Sequence, residues 1–418
     1  MSYYRKTCHH RHSRSRQVEN VLVLQGGGSF GAFGCGVFKG LSKSGVKLDI
    51  VAGTSIGAIN GAIIAGSKGD HPEQALEEFW LELAESSHNI IPDLYILDAA
   101  DYLSFSYKAQ QEVKRIPSAS INASLFGIPK MFVPRWLDWQ KGPIGELFMP
   151  WNWTFAYDHS PLVNTLDKYI DYRKISPDGI KESSFDSAGK SNRATAIRLI
   201  TTAVNVLTSE SLVFDSAKMA IQPKHLLASS GYPVYGFPWI EIEDGVYAWD
   251  GSLLSNTPLR EVIDASPRND KHVIIVENYS RHIDRLPSNA AEVVDRTRDI
   301  IFSDKTMHNI KMSKIITKQI ELIEHLYEFF ERNADPSKIG QTEIDSIRKQ
   351  YSKLVSNYGA EILSVRRIIK DRIATPHLLK NADFSPKTVK QLIREGEQKA
   401  IKHFSEFADN PKAADALT

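Results

Sequence analysis

The chain has 418 residues, of which 42% are apolar and 24% are charged, a mixture typical of a globular protein with a sizeable core. Its 51 basic and 50 acidic side chains leave a net charge of +1. This balance argues against a nucleic-acid partner, which would favour a clustered basic surface. The two cysteines, Cys8 and Cys35, predict no disulfide framework and indicate a reducing compartment.

The N-terminal segment 1–18 is predicted to be a disordered basic tail. It carries five Lys or Arg residues but lacks the apolar stretch of a signal peptide. No run of about 18 apolar residues suggests a transmembrane helix, so we expect a cytoplasmic protein, with peripheral membrane contact left open. Four potential metal ligands in the tail are too close together to close a structural site alone. They are Cys8, His9, His10 and His12. We predict neither a metal nor a cofactor.

Two strand–loop–helix units follow the tail. The apolar run 21–24 predicts a buried strand, followed by a glycine-rich loop and a helix over about 32–44. A second strand over 49–52 leads into another glycine-flanked turn and a helix of small residues through about 65. This alternation predicts a right-handed parallel α/β unit.

The rest of the chain divides into three parts. The segment 90–160 is rich in proline and aromatic residues and is predicted to be an insertion over the sheet. Strands are then predicted at 197–204, 212–214, 246–249 and 272–277, the last with the β-branched run of a central parallel strand. From about 286 the spacing of apolar residues becomes helical and continues so to about 371, before a last helix from Ser385-Pro386. We therefore predict a domain over 19–285 and a helical extension over 286–418.

The strongest functional motif is the pentapeptide Gly53-Thr54-Ser55-Ile56-Gly57, placed between a predicted strand and a predicted helix. A Gly-x-Ser-x-Gly turn in this position is typical of a nucleophile elbow, in which flanking glycines leave room for a sharp bend. Ser55 would then stand beside a helix N-terminus, where developing negative charge is favoured.

A second motif lies at the end of the preceding predicted strand. It reads Gly26-Gly27-Gly28-Ser29-Phe30-Gly31. Consecutive glycines let backbone N–H groups point into a shared cavity, so the motif predicts an oxyanion hole. A dinucleotide-binding loop is the alternative, but that fingerprint expects an acidic residue at the end of the second strand, where this sequence has the serine turn.

The third motif is Asp250-Gly251-Ser252, which follows a predicted strand. A serine hydroxyl needs a base to become a nucleophile near neutral pH, and an aspartate at a neighbouring strand end could provide it. Alone, such a tripeptide is more often a surface turn. The catalytic interpretation of this tripeptide therefore depends on the two motifs that precede it in the chain.

In this order, the three motifs resemble those of the patatin-like phospholipase family. The resemblance runs from about Val21 to Pro258 and includes the segments 225–230 and 256–259. It implies a three-layer α/β/α sandwich with a mainly parallel sheet and a Ser–Asp dyad without histidine. It also implies that Ser55 is the nucleophile, that Asp250 is the base and that the amides of Gly26 to Ser29 form the oxyanion hole. The C-terminal extension is similar to one found in some bacterial members.

Two residues depart from the family pattern. Phe30 stands where many members have Arg or Lys, so the sequence predicts no head-group preference. Ser252 replaces the usual Gly or Ala, and its hydroxyl could hydrogen-bond Asp250 and weaken it as a base.

These observations predict a serine acyl-ester hydrolase, of phospholipase A or lysophospholipase type, acting on lipid or phospholipid. A Ser–His–Asp triad using His272 or His282 is the alternative chemistry. A catalytically silent binding or scaffold protein is the alternative function. The aromatic insertion could form a lid or acyl pocket, or an ordinary hydrophobic subcore. Its aromatic and neighbouring residues are Trp136, Trp139, Phe148, Met149, Pro150, Trp151, Trp153, Phe155 and Tyr157.

Overall fold

The structure is a computed structural model that describes residues 18–87, 116–137, 153–183, 196–265, 267, 269–303, 306–358, 362–372 and 379–409. Its strands are β1 Val18–Leu24, β2 Ile50–Gly53, β3 Val133–Pro134, β4 Tyr157–Asp158, β5 Arg198–Asn205, β6 Ser211–Asp215, β7 Ile240–Glu243, β8 Val246–Asp250, β9 Asp270–Glu277 and β10 Ile362–Ile369.

The helices alternate with these strands in the first half of the chain and dominate the second half. They are α1 Gly31–Lys43, α2 Ile56–Gly66, α3 Pro72–Ser86, α4 Ser118–Phe126, α5 Pro161–Tyr169, α6 Pro177–Ser183, α7 Pro223–Ser230, α8 Leu259–Ile263, α9 Ala290–Phe302, α10 Thr306–Asn333, α11 Pro336–Ile339, α12 Gln341–Tyr358 and α13 Pro386–Asp409.

One large mixed sheet organises the protein, with the strand order β10-β9-β1-β2-β5-β8-β7 and β6 also paired to β5. The five strands from β10 to β5 are parallel to one another. Strands β6 and β8 are antiparallel to β5. Because parallel strands end at the same edge, the loops after β1, β2 and β9 lie next to one another.

Helices cover both faces of this sheet. Leu22, Leu24 and Val51 point into a core formed with α1, α2, α3, α7 and α13. The alternate residues Val21 and Val23 point to the opposite face, where α8 and Ile310 of α10 cover them. Burial on both faces explains why β1 is a continuous apolar run instead of an alternating one. The predicted three-layer α/β/α sandwich with a mainly parallel sheet is confirmed.

The C-terminal region is joined to this sandwich by a strand. β10 extends the sheet by pairing in parallel with β9, and α13 packs along α1 so closely that a Cβ on Gly36 would lie 1.9 Å from the Ile393 carbonyl oxygen. The prediction of helical structure to about residue 371 is therefore wrong for Ile362–Ile369. This β-branched segment completes the hydrogen bonding of a sheet edge, an interaction that local periodicity does not reveal.

The six strands predicted from the sequence are present, with ends within three residues of their predicted positions, whereas β7 was not predicted. Ser385 caps α13 as expected, since its Oγ accepts a hydrogen bond from the Thr388 amide at 3.4 Å. The basic tail and most of the predicted insertion lie outside the described residues. Across the described part of the chain, no helix is both long and apolar enough to cross a membrane.

Candidate active site

Ser55 lies at a sharply bent turn between β2 and α2. Its backbone has φ 58° and ψ −130°, a conformation that residues other than glycine rarely adopt. The bend leaves no room for side chains on either side. A Cβ on Gly53 would lie 2.1 Å from the Gly57 carbonyl oxygen, and one on Gly57 would lie 2.3 Å from that of Leu24. The geometry is that of the elbow expected from the sequence.

A serine that sequence reasoning did not single out supports this turn. The Ser55 amide donates a hydrogen bond to Ser229 Oγ at 3.2 Å, and the Thr201 hydroxyl donates to the same oxygen at 3.0 Å. Ser229 lies near the end of α7, and Thr201 lies on β5. Ser229 belongs to the segment 225–230 that carried part of the family resemblance, so the sequence contained a signal for it without a role.

The glycine-rich loop after β1 lies directly against Ser55. A Cβ on Gly26 would be 2.8 Å from the Ser55 Cβ and 2.9 Å from Ser252 Oγ, so only glycine fits here. Gly27 and Gly28 have φ values of 150° and 56°. Within the described ranges, the amides of these three glycines have no hydrogen-bond acceptor. They are therefore available to a bound group.

The fourth predicted oxyanion-hole residue is placed differently. The Ser29 amide donates to the backbone carbonyl of Asn381 at 2.9 Å, so its N–H group already has a partner. The same Asn381 carbonyl explains why residue 28 is a glycine, because a Cβ on Gly28 would lie 2.5 Å from the carbonyl oxygen. Gly31, at the start of α1, is fixed by close packing, since its Cβ would lie 2.6 Å from Ile56 Cγ1.

Asp250 approaches Ser55 from the opposite direction along the sheet. Strand β6 pairs with one edge of β5 along Ile200–Val204. Some of these β5 residues also pair with β2, and others also pair with β8. Strands β2 and β8 must therefore both lie on the other edge of β5, one after the other. β2 ends opposite Thr201, while the antiparallel β8 ends opposite Ala203. The two strand ends therefore point toward each other. The small size of Gly251 is required, because its Cβ would lie 2.5 Å from Thr202 Oγ1.

The Asp250 carboxyl group is fully buried and incompletely hydrogen-bonded. Its Oδ1 accepts from the Ser252 amide at 2.8 Å, whereas no hydrogen bond of normal length and angle from a described residue reaches Oδ2. Burial raises the pKa of Asp250 to about 6, although the Ser252 amide and then the Ser55 hydroxyl act to lower it. The Ser55 hydroxyl is thus close enough to interact with the carboxylate, and a group with a pKa near 6 is ionised and basic at neutral pH.

The two departures from the family pattern have separate structural roles. The Ser252 hydroxyl donates to Asn256 Oδ1 at 2.9 Å, and it is the last and smallest influence on the Asp250 pKa. The Phe30 side chain is buried outside the cavity that contains Ser55. The Lys370 ammonium lies 4.3 Å from the centre of its ring, and burial lowers the pKa of Lys370 to about 8.

A cavity of about 320 Å³ contains both Ser55 and Asp250. Its floor also includes Gly27 and Gly28, while its walls are mainly apolar and aromatic. The wall residues come from the predicted insertion, from the loops after α7 and β9, and from the C-terminal region. They include Ala123, Met131, Phe132, Tyr157, Tyr232, Tyr235, Phe237, Tyr279, Phe302, Leu379, Ala382 and Phe384. Such a lining is suited to an acyl chain.

The histidines of the alternative triad are elsewhere. His272 lies near the start of β9, opposite Asn20, and its Nδ1 is 2.7 Å from Ser364 Oγ. His282 is exposed on a loop. Of the residues that the structure describes, no histidine lines the cavity, and no group of three or more His, Cys, Asp or Glu side chains could hold a metal.

Part of the predicted aromatic insertion can be placed. Tyr157 lines the cavity, and Trp136 packs against it with ring centres 5.3 Å apart. The Arg135 guanidinium lies over the rings of Trp153 and Phe155. Five further residues of the insertion fall outside the described ranges, and so do the potential metal ligands of the tail. The five are Trp139, Phe148, Met149, Pro150 and Trp151, and the tail ligands are Cys8, His9, His10 and His12.

Comparison with known proteins gives a family match over the sandwich. A model described as "Patatin-like phospholipase" matches residues 22–263. A segment of 44 residues is 54% identical to lysophospholipase nte1 of Aspergillus terreus. A segment of 74 residues is 38% identical to patatin-like phospholipase domain-containing protein 7 of Mus musculus. These segments are 10% and 18% of this chain but only 3% and 6% of the two relatives.

Two solved structures are similar at low identity. VipD from Legionella pneumophila is 14% identical with a TM-score of 0.32, over 93% of this chain and 67% of that one. ExoU from Pseudomonas aeruginosa, in its complex with SpcU, is 15% identical with a TM-score of 0.27, over 81% of this chain and 59% of that one. TM-scores this low support no argument about this chain, whereas the family match covers more than half of it.

Proposed function

Since the chain belongs to the patatin-like phospholipase family, we propose that it is a lipid acyl-ester hydrolase with Ser55 as nucleophile and Asp250 as base. The observation that carries this proposal is one cavity holding a strained serine, a buried carboxyl group and two glycine amides that no described residue accepts from. These are the parts that acyl transfer through a serine requires. No metal or organic cofactor has a step in the proposed reaction.

The proposed mechanism has two stages. Ser55 Oγ forms a bond to the ester carbonyl carbon while Asp250 accepts the hydroxyl proton, and the carbonyl electron pair moves onto oxygen beside the Gly27 and Gly28 amides. When the tetrahedral intermediate collapses, the C–O bond to the alcohol breaks and the proton passes from Asp250 to the alcohol. Water then attacks the acyl carbon while Asp250 accepts its proton, the bond from that carbon to Ser55 Oγ breaks, and the proton passes from Asp250 to Ser55 Oγ as the fatty acid leaves.

We propose that the protein binds its substrate at a lipid surface. Tyr235 lines the cavity, the adjacent Val234 is 76% exposed, and Leu125 follows the cavity-lining Ser124. Exposed apolar side chains beside a cavity entrance suit insertion among lipids. We expect Val234→Asp to bind liposomes several-fold more weakly, while hydrolysis of a water-soluble short-chain ester stays unchanged. Equal liposome binding by both proteins would remove the surface contact from the proposal.

The test of the catalytic assignment is labelling by a fluorophosphonate together with hydrolysis of a lipid panel. Labelling and fatty-acid release should both disappear in Ser55→Ala. They should persist in Ser86→Ala, a matched loss of a serine hydroxyl at the end of α3, away from the cavity. Activity that survives in Ser55→Ala would refute the nucleophile. A folded wild-type protein that is neither labelled nor active would favour the silent binding protein.

A further inference from the structure

Tyr279 lies beside the glycine-rich loop because of the sheet order. It follows β9 by two residues, and β9 runs parallel to β1, so both strands end at the same edge. Asn278 fastens the two loops together, since its side-chain amide donates to the carbonyls of Gln25 and Gly26, both at 3.1 Å. Its backbone N–H donates to Gln25 Oε1 at 2.8 Å. Tyr279 is therefore held close to the predicted oxyanion hole.

The ring of Tyr279 is fixed by packing. It is 2% exposed and lies in an edge contact with Phe30, with ring centres 5.8 Å apart. Its centre is 5.1 Å from that of Phe302, and the Lys380 ammonium lies 5.8 Å from it. None of these contacts involves the hydroxyl. A fixed ring presents its hydroxyl with little further loss of conformational entropy.

The Tyr279 hydroxyl lies beside the glycine loop. A Cβ built on Gly27 would lie 3.2 Å from this oxygen, and the hydroxyl makes no hydrogen bond to any residue that the structure describes. Tyr279 lines the same cavity as Ser55, Asp250 and Gly27. Burial raises its pKa well above the usual value, and the charge of Asp250 acts in the same direction. The group therefore stays protonated and able to donate.

We propose that Tyr279 is a catalytic residue whose hydroxyl donates a hydrogen bond to the ester carbonyl oxygen as that oxygen becomes an oxyanion. This role rests on the proposed hydrolase function. When Ser55 Oγ bonds to the carbonyl carbon, the carbonyl electron pair moves to oxygen, and the oxygen accepts hydrogen bonds from Gly27, Gly28 and Tyr279. Tyr279 keeps its proton throughout, and the hydrogen bond is lost when the carbonyl re-forms.

The test is Tyr279→Phe, which removes one oxygen and keeps every ring contact. We expect kcat to fall about 100- to 1,000-fold, as for loss of a single oxyanion donor, with KM within about twofold because the interaction strengthens only in the transition state. A trifluoromethyl ketone, which forms a charged tetrahedral adduct with the serine, should bind more weakly by the same factor. Tyr172→Phe, which removes a buried hydroxyl outside the cavity, should leave all three values unchanged.

The outcomes separate this role from the function on which it rests. If the wild-type protein reacts with a fluorophosphonate and Tyr279→Phe keeps full kcat and full ketone affinity, the role of Tyr279 is refuted while the hydrolase stands. If KM rises and kcat does not change, the hydroxyl contacts bound substrate only and the oxyanion role is again refuted. If the wild-type protein does not react at all, both proposals fail.

Discussion

The two halves of the molecule contribute to the cavity in different ways. The family-matched part, residues 22–263, provides Ser55, Asp250 and the glycine loop from strand ends of one sheet. The C-terminal part, residues 286–418, provides neither Ser55 nor Asp250. It adds strand β10, packs α13 on α1, and places Leu379, Asn381, Ala382 and Phe384 in the cavity wall. The predicted catalytic groups therefore lie at strand ends of the sheet, whereas the wall of the cavity is completed by segments that are far from them in the sequence.

The C-terminal part is itself uneven. The segment around Asn381 is tied to the glycine loop by the Ser29 amide and anchored by Lys380, which is buried in ion pairs with Asp295 and Asp299. The hairpin of α10 and α12 is more exposed, with Leu322, Leu326 and Phe329 all above 55% exposed. Only the first of these two regions should matter for catalysis.

The largest effect is expected from Gly26→Ala in the family-matched part. The new Cβ would lie 2.5 Å from Asn256 Oδ1 and 2.8 Å from the Ser55 Cβ, so the serine must move by several tenths of an ångström. We expect kcat to fall by about 100-fold or more. Gly69→Ala is the matched control, because a Cβ there has no neighbour within 4 Å. Full activity in Gly26→Ala would mean that the loop is not held against Ser55.

The next effect tests the anchored segment of the C-terminal part. Lys380→Met removes the cation between Asp295 and Asp299 and leaves carboxylates buried without it. We expect the free energy of unfolding to fall by about 3 kcal/mol. Hydrolysis should also weaken, because Asn381 lines the cavity and holds the loop. Lys380→Arg should recover part of both losses, and the exposed Lys387→Met should change neither. Normal hydrolysis in a folded Lys380→Met protein would make the C-terminal part dispensable for the site.

A smaller effect of opposite sign is expected for stability in Asp250→Asn. Burial raises the folded-state pKa from 3.8 to about 6, so ionisation of this group opposes folding. The difference corresponds to about 3 kcal/mol at most. Urea unfolding should show Asp250→Asn to be the more stable protein at pH 8, with the advantage lost as pH falls through 6 toward 4. Equal stability at pH 8 would mean that Asp250 carries no buried charge.

The smallest effect is expected on the exposed hairpin. Arg348 of α12 pairs with Glu331 of α10 at 2.9 Å, and both side chains are open to solvent. Exposed ion pairs contribute little to stability. Glu331→Gln should therefore leave the melting temperature and kcat/KM unchanged in ordinary salt. A clear loss of activity would mean that the hairpin affects the cavity, and it would contradict the expectation that only the segment around Asn381 matters for catalysis.

Much of the fold could be predicted because local signals agreed with the tertiary structure. The apolar run of β1 and the β-branched run of β9 are buried on both faces, so sequence pattern and environment coincide. β10 was missed because its sequence, ILSVRRII, follows a long helical pattern and gains its structure from β9. Gly359 precedes it and was an overlooked sign that the helix ends.

The site divides in the same way. Ser55 and the glycines carry steric requirements that appear as motifs, because the bend at Gly53 and the contact at Gly26 exclude other residues. The positions of Ser229, Asn278 and Tyr279 depend on which strands are neighbours, and a single sequence does not state that order. The assignments of nucleophile, base and oxyanion hole stay predictions until they are tested chemically.

The most direct test of the account is the pH dependence of phosphonylation at Ser55 by a fluorophosphonate, with mass spectrometry to locate the adduct. In the wild-type protein the rate should rise with an apparent pKa near 6, the value to which burial raises the pKa of Asp250. In Asp250→Asn it should fall by about 100-fold or more and lose this dependence. Unchanged phosphonylation of a folded Asp250→Asn protein, or an adduct on another residue, would contradict the claim that Ser55 and Asp250 act together.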